Sequence, residues 1–106
     1  FKTLKLHSSS YPDTIADGLR TSLSRRTFNI VTMFVDDIIT VDEKSIIDAM
    51  RFLWTRMKIV VEPSGAVPLA GLFKIKKHVN NKRIGVIISG GNVDLEWFFK
   101  KYYEEI

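Results

Sequence analysis

The chain has 106 residues, 45% of them hydrophobic and 26% charged, a composition typical of one folded domain and not of a disordered segment. It contains no cysteine, which excludes disulfides, and we therefore expect a cytoplasmic protein. It has only two histidines, His7 and His78, which argues against a histidine-rich metal site. The 16 basic residues, which give a net charge of +4, are interspersed with 12 acidic residues, so we expect no nucleic acid as a partner. No apolar run approaches the ~20 residues that span a membrane, so we expect no membrane as a partner either.

Residues 1–26 show little periodicity and are rich in serine, proline and aspartate, which predicts a loop. Within this loop, Gly18 follows the residues T-I-A-D and is flanked by bulkier side chains. A glycine in this setting either adopts a left-handed conformation or leaves room for a flat group against the backbone. The local sequence leaves both explanations open.

The segment from Thr27 to Val35 carries apolar residues at spacings of three and four, which predicts a short helix with one buried face. A short β-branched strand is predicted at residues 38–41. Asp42 is a suitable N-cap for the next helix, predicted from Glu43 to about Ile59. The apolar stripe of that helix consists of Ile46, Ile47, Met50, Leu53, Trp54 and Met57.

Pro63 suits the first turn of another helix, because proline has a fixed φ and lacks an amide hydrogen. The predicted helix runs to about Lys77 and is lined with small residues, which allow close approach to a sheet or leave space for a bound group. Glu62 lies at the mouth of this helix, where a carboxylate interacts with the positive end of the helix dipole. It serves either a ligand site or simple capping.

An apolar run at residues 84–88 predicts a strand buried on both faces, and it ends at the turn S-G-G-N before Asp94 opens a final helix. Ligands of open α/β sheets bind beyond the carboxyl ends of strands, so this turn is a candidate site. Ser89 has one hydroxyl to donate to a ring nitrogen or a phosphate. The alternatives are an ordinary turn and a hydroxyl that satisfies a neighbouring carbonyl.

The element order is helix, strand, helix, helix, strand, helix, which predicts an α/β fold with two neighbouring parallel strands. Two strands are too few for a sheet, so we expect further strands from upstream sequence or another chain. No catalytic triad follows from the spacing of the residues. A non-catalytic α/β binding or interaction module is therefore the alternative to an enzyme.

Three segments, in this order, resemble one enzyme family: T-I-A-D-G-L at 14–19, M-K-I-V-V-E-P-S-G-A-V at 57–67 and I-I-S-G-G-N-V-D-L at 87–95. They are similar to the C-terminal third of the serine/threonine dehydratases and serine racemases. These are pyridoxal-phosphate (PLP) enzymes of the tryptophan-synthase β fold, called fold type II, and they include 3-hydroxyaspartate dehydratase-like members.

The resemblance implies that residues 1–106 are a C-terminal fragment of the cofactor-binding large domain, a three-layer open sheet with helices on both faces that is incomplete without upstream sequence. It divides the fragment into a loop with a ring-packing glycine at 1–26, an α/β core at 27–95 and a C-terminal helix at 96–106. The aromatic C-terminal helix is expected to cover an apolar surface or a subunit contact, and we expect a homodimer.

The resemblance also implies site residues. Ser89 matches the serine that hydrogen-bonds the pyridine nitrogen, and Gly18 matches the glycine against one face of the ring. Thr21 falls where the family has a small hydroxyl near the substrate. The remaining matches are a glutamate beside the cofactor and two residues of the turn around the ring nitrogen: Glu62, Gly90 and Asn92.

The implied activity is that of an ammonia-lyase or racemase acting on L-serine, L-threonine or 3-hydroxyaspartate, by imine formation, removal of the α-proton and β-elimination of water. None of the ten lysines has the neighbours of the family's Schiff-base lysine, so we expect no catalytic residue in this fragment and the lysine in the remainder of the enzyme. A divalent cation, Mg or Mn, would be bound by upstream residues.

Overall fold

The computed structural model describes residues 1–7 and 12–102, whose regular structure consists of helices. A 3₁₀ turn covers Asp17–Leu19, and the α-helices are α1 (Arg25–Phe34), α2 (Glu43–Arg56), α3 (Pro63–Ile75) and α4 (Leu95–Tyr102). Residues 8–11 of the predicted loop and residues 103–106 of the predicted C-terminal helix lie outside the described residues. Within the described ranges, no helix has the length and apolar character needed to cross a membrane.

Helices α2 and α3 pack against each other and form the centre of the core. The stripe predicted for α2 is confirmed at Ile46, Ile47, Met50 and Leu53, which are buried. Trp54 packs at the edge of this core and donates its indole N–H to the carbonyl of Val61 at 3.1 Å. From α3, the small and apolar residues that complete the core are Gly65, Ala66, Leu69 and Ala70.

The predicted end of α2 is wrong by three residues, because the helix stops at Arg56 and not at Ile59. Lys58 adopts φ of 59°, the left-handed conformation in which many helices end. The carbonyl of Leu53 accepts from the N–H groups of both Met57 and Ile59 and so closes the last turn. Met57, predicted as part of the buried stripe, is 54% exposed as a result.

Asp42 caps α2 as predicted: its carboxylate accepts from the backbone N–H of Ser45 at 2.7 Å. Hydrogen bonding by the side chain and the backbone of Ser45 holds the pKa of Asp42 below its ordinary value of 3.8, with a smaller contribution from Lys74. Since the folded state lowers this pKa, the charged cap stabilises the protein fully above pH 3.8. The contribution is lost as the pH falls below that value and through the folded pKa.

We therefore expect wild type to be more stable than Asp42→Ala at pH 7, with a difference that shrinks as the pH falls below 3.8. Urea denaturation over a pH series measures it. Asp42→Asn is the control, because asparagine caps a helix without titrating in this range. If the difference between wild type and Asp42→Ala stays constant down to about pH 2, the charged cap is not the cause.

Helix α1 is present near the predicted position, but its predicted buried face is mostly exposed. Phe28 is buried, whereas Ile30 and Phe34, which were predicted to lie on the same face, are 51% and 73% exposed. The spacing of apolar residues in a sequence predicts which face of a helix is apolar. It does not predict whether the surface that packs against that face belongs to the same segment of the protein. Within the described residues, that surface is missing for most of α1.

The two predicted strands, 38–41 and 84–88, lie outside the helices, but the described residues contain no strand ladder. The prediction of a parallel pair is therefore wrong for this segment alone. Both segments line one apolar groove along α3, with a volume of 760 Å³, that includes Ile39, Val41, Val86 and Ile87. A strand forms only when a partner accepts its backbone hydrogen bonds, and the described residues supply none here.

Candidate functional site

The start of α3 is the junction at which four of the predicted site residues meet: Gly18, Glu62, Gly90 and Asn92. Glu62 precedes the first residue, Pro63, and its side chain makes no capping hydrogen bond to its own helix. The carboxylate reaches instead to the turn that follows residue 88, where Oε1 accepts from the N–H of Asn92 at 3.4 Å. Simple capping is therefore not the role of this side chain.

Glycines at this junction allow two backbone segments to approach closely. The N–H of Glu62 donates to the carbonyl of Gly90 at 3.1 Å, and a Cβ atom on Gly65 would lie 2.8 Å from the same oxygen. A Cβ on Gly90 would lie 2.9 Å from Oε1 of Glu62, and a Cβ on Gly91 would overlap the carbonyl oxygen of Val60. Among the described residues no glycine has a positive φ, so close approach and not a left-handed turn explains them.

Gly18 reaches the same junction through a residue that the sequence analysis did not identify. Its N–H donates to Oγ of Ser64, the second residue of α3, at 2.9 Å. A Cβ on Gly18 would lie 3.1 Å from that oxygen, so the hydroxyl occupies the space that a side chain would need. The spacing E-P-S-G, which places Ser64 two residues after Glu62, was the available signal.

Ser89 and Thr21 are placed differently from the other candidates. Ser89 adjoins Gly90, is exposed, and makes no hydrogen bond to any of the residues 1–7 and 12–102. Its hydroxyl does not satisfy a neighbouring carbonyl, which was the alternative explanation. Thr21 is also exposed, and it forms no hydrogen bond to Glu62, Ser89 or Asn92.

A cavity of 180 Å³ opens beside this junction. Its lining includes Asp17, which precedes Gly18, and Trp97 from α4. Glu62 and Asn92, which are joined by a hydrogen bond, line it as well. In the part of the chain that the structure describes, no group of three or more His, Asp or Glu side chains is placed to hold a metal ion.

The chemistry of Gly18 and Ser89 fits contacts with PLP. Gly18 and Ser89 are exposed, one without a side chain and one with an unbonded hydroxyl, and adjacent residues of α3 connect them: Ser64 contacts Gly18, and Gly65 contacts Gly90. A planar ring needs a flat wall, which a glycine supplies, and its nitrogen needs one hydrogen-bonding partner, which a serine supplies.

The family model described as "Pyridoxal-phosphate dependent enzyme" matches residues 2–90. The chain belongs to this family. PLP is the family's cofactor, so membership confirms the cofactor that the resemblance implied. The match spans the segments of Gly18, Glu62, Ser89 and Gly90, and it ends just before Asn92.

Individual relatives agree with this assignment. Serine racemase of Schizosaccharomyces pombe is 52% identical over 86 residues, which are 80% of this chain and 27% of that protein. L-threo-3-hydroxyaspartate ammonia-lyase of Pseudomonas sp is 43% identical over 97 residues, 91% of this chain and 30% of that protein. The chain therefore spans less than a third of the length of either relative.

A solved structure extends the similarity to the fold. The crystal structure of a threonine deaminase from T.th. superposes with a TM-score of 0.82 and 41% identity, covering 89% of this chain and 32% of that one. This likeness confirms the predicted fold class, an incomplete part of an α/β fold type II enzyme. It also explains the absent ladder, because more than two thirds of the related chain has no counterpart here.

Proposed function

We propose that this chain forms one wall of the cofactor pocket in a PLP-dependent ammonia-lyase or racemase. One observation carries the proposal: the start of α3 contacts two segments that are distant from it and from each other in sequence. Oγ of Ser64 accepts a hydrogen bond from the N–H of Gly18. The side chain of Glu62 accepts from the N–H of Asn92, and its backbone N–H donates to the carbonyl of Gly90. Gly18, Asn92 and Gly90 were each predicted as cofactor contacts.

Ser89 is proposed to face the pyridine nitrogen. A hydroxyl both donates and accepts, and it stays neutral at working pH, so it does not force a proton onto that nitrogen. When bound, PLP stabilises the negative charge that develops on the α-carbon of an amino acid. A neutral partner moderates this effect, and in the resembling family this favours loss of water over side reactions.

The other residues of the wall are proposed to bind and orient. Gly18 leaves one ring face free of side chains, and Thr21 offers an exposed hydroxyl on the substrate side. Glu62 fixes the turn by accepting from the N–H of Asn92, while Gly90 brings that turn against the helix. Charge at Glu62 is favourable because it lies at the positive end of the α3 dipole.

The proposed substrates are α-amino acids with a β-hydroxyl group: L-serine, L-threonine or 3-hydroxyaspartate. Support comes from the names of the similar proteins, which are a serine racemase, a 3-hydroxyaspartate ammonia-lyase and a threonine deaminase. A hydroxyl at the β-carbon is the shared feature of these compounds. It is also the leaving group that a dehydratase requires.

Further polypeptide is proposed to supply the anchoring lysine, the phosphate-binding loop and any cation site, since the relatives are more than three times as long as the matched segment. We further propose a homodimer in the cytoplasm. Intact mass and N-terminal sequencing of the native protein test the first point, and light scattering tests the second. A native start at Phe1 without a companion polypeptide would contradict the first.

The function is tested on the complete native protein, purified and incubated with PLP. We expect cofactor absorbance near the visible edge, together with a keto acid formed from L-serine, L-threonine or L-threo-3-hydroxyaspartate, or D-serine formed from L-serine. L-Alanine, which lacks the β-hydroxyl, serves as the control and should yield no keto acid. Absence of bound cofactor would overturn the proposal in favour of a non-catalytic binding module.

A further inference from the structure

The segment from Thr14 to Gly18 is held by side chains of two helices. The N–H of Ile15 donates to Oε2 of Glu43 at 2.8 Å, and the N–H of Gly18 donates to Oγ of Ser64 at 2.9 Å. We propose that Glu43 and Ser64 are positioning residues that set the distance between Gly18 and the turn at residues 89–92 within the proposed wall of the cofactor pocket. This role rests on the proposed function. Glu43 and Ser64 would not touch the cofactor but would act through Ile15 and Gly18.

Both acceptors stand on rigid parts of the molecule. Glu43 is the first residue of α2 and Ser64 is the second residue of α3, the two helices that form the centre of the core. Hydrogen bonds from these side chains therefore tie the segment to a scaffold that packing already fixes. The remaining backbone bonds of the segment are local, such as the N–H of Asp17 to the carbonyl of Ile15 at 2.9 Å, and do not position it relative to the helices.

The burial of this segment makes the first bond costly to lose. Ile15 is 8% exposed and Ala16 is 1% exposed, so the backbone between them lies against the core. A buried N–H without an acceptor is strongly unfavourable, and Glu43 supplies the acceptor here. Side chains inserted into the core thus fix one end of the segment, and the hydroxyl of Ser64 fixes the exposed end at Gly18.

Ser64 couples Gly18 to the turn at residues 89–92 because it shares its helix turn with Glu62. Ser64 accepts from the N–H of Gly18 and Glu62 binds Asn92 and Gly90, so the separation of Ser64 and Glu62 along α3 determines the separation of Gly18 from that turn. Removing the hydroxyl of Ser64 releases Gly18 while the turn remains bound to Glu62. The expected consequence is a displaced ring face and not a collapsed fold.

The first readout needs no cofactor. In the complete native protein, hydrogen exchange at the Gly18 amide should accelerate about three- to tenfold in Ser64→Ala, and that at the Ile15 amide should accelerate similarly in Glu43→Ala, corresponding to one lost hydrogen bond. Glu43→Gln keeps an acceptor oxygen and should restore protection. Thr55→Ala is the matched control, because it removes a helical hydroxyl that donates to Arg51 of its own helix.

The second readout is the bound cofactor. Ser64→Ala and Glu43→Ala should bind PLP about three- to tenfold more weakly and, at saturating PLP, show a reduced circular dichroism signal from the ring. Glu43→Gln and Thr55→Ala should match wild type in both measurements. A merely structural role would lower thermal stability but leave the dichroism of the saturated protein unchanged.

The two hypotheses fail in different ways. If wild type binds PLP and the alanine variants show unchanged exchange, affinity or dichroism, the positioning role is overturned while the proposed function stands. If wild type binds no PLP, the proposed function is overturned and the positioning role falls with it.

Discussion

Replacing Gly91 with alanine is expected to lower the free energy of unfolding by about 1–3 kcal/mol, the usual cost of overpacking. The added methyl group would overlap the carbonyl oxygen of Val60 and lie 3.3 Å from the carbonyl carbon. Both are backbone atoms, which cannot rotate away as a flexible side chain would. The turn at 90–92 must move, and with it the residues that Glu62 holds.

Gly85→Ala provides the matched control for this prediction. It is the same substitution in the same segment, and a Cβ at Gly85 meets no atom within 4 Å. Since neither glycine has a positive φ, backbone conformation does not distinguish them. Gly85→Ala should leave stability unchanged or raise it by up to about 1 kcal/mol through reduced chain entropy. Equal losses in urea denaturation would show that the contact with Val60 is not the cause.

Replacing Phe98 with alanine is expected to lower the free energy of unfolding by about 3–5 kcal/mol, as for other fully buried phenylalanines. Phe98 is 0% exposed and joins α4 to the core, with its ring centroid 5.4 Å from that of Trp54 and 5.0 Å from that of Tyr102. The substitution leaves a cavity that these rings cannot fill. Trp97 of the same helix lines the 180 Å³ cavity beside Glu62 and Asn92, so the shape of that cavity should change as well.

The neighbouring residue supplies the control. Phe99 also contacts Trp54, with centroids 5.4 Å apart, but it is 42% exposed. Phe99→Ala removes the same atoms from a site that is already partly hydrated, so its cost should be well below that of Phe98→Ala. Denaturation curves of both variants measure the difference. A larger loss for Phe99→Ala would contradict the placement of α4.

Local signals predicted the helices well. Asp42 and Pro63 mark the starts of α2 and α3, and each acts on the first turn of its own helix, so neighbouring residues suffice to read it. The ends were less predictable, as the left-handed residue Lys58 shows, because lysine carries no terminating signal comparable to glycine.

Features that depend on distant residues were not predictable in the same way. Burial of Phe34 and pairing of residues 84–88 both need partners that the segment does not contain, and neither occurs within the described residues. Among the proposed site residues, Gly18, Glu62, Gly90 and Asn92 could be named because their motifs occur in order. Ser64 and Glu43 were missed because their contacts link segments that are far apart in sequence.

We propose that Ser89 contacts the ring nitrogen of PLP, and a crystal structure of the complete protein with PLP measures this contact directly. We expect Oγ of Ser89 within about 2.6–3.2 Å of that nitrogen, with Gly18 against one face of the ring. A ring nitrogen that faces solvent or a carboxylate, or a cofactor bound away from residues 89–92, would contradict this proposed contact.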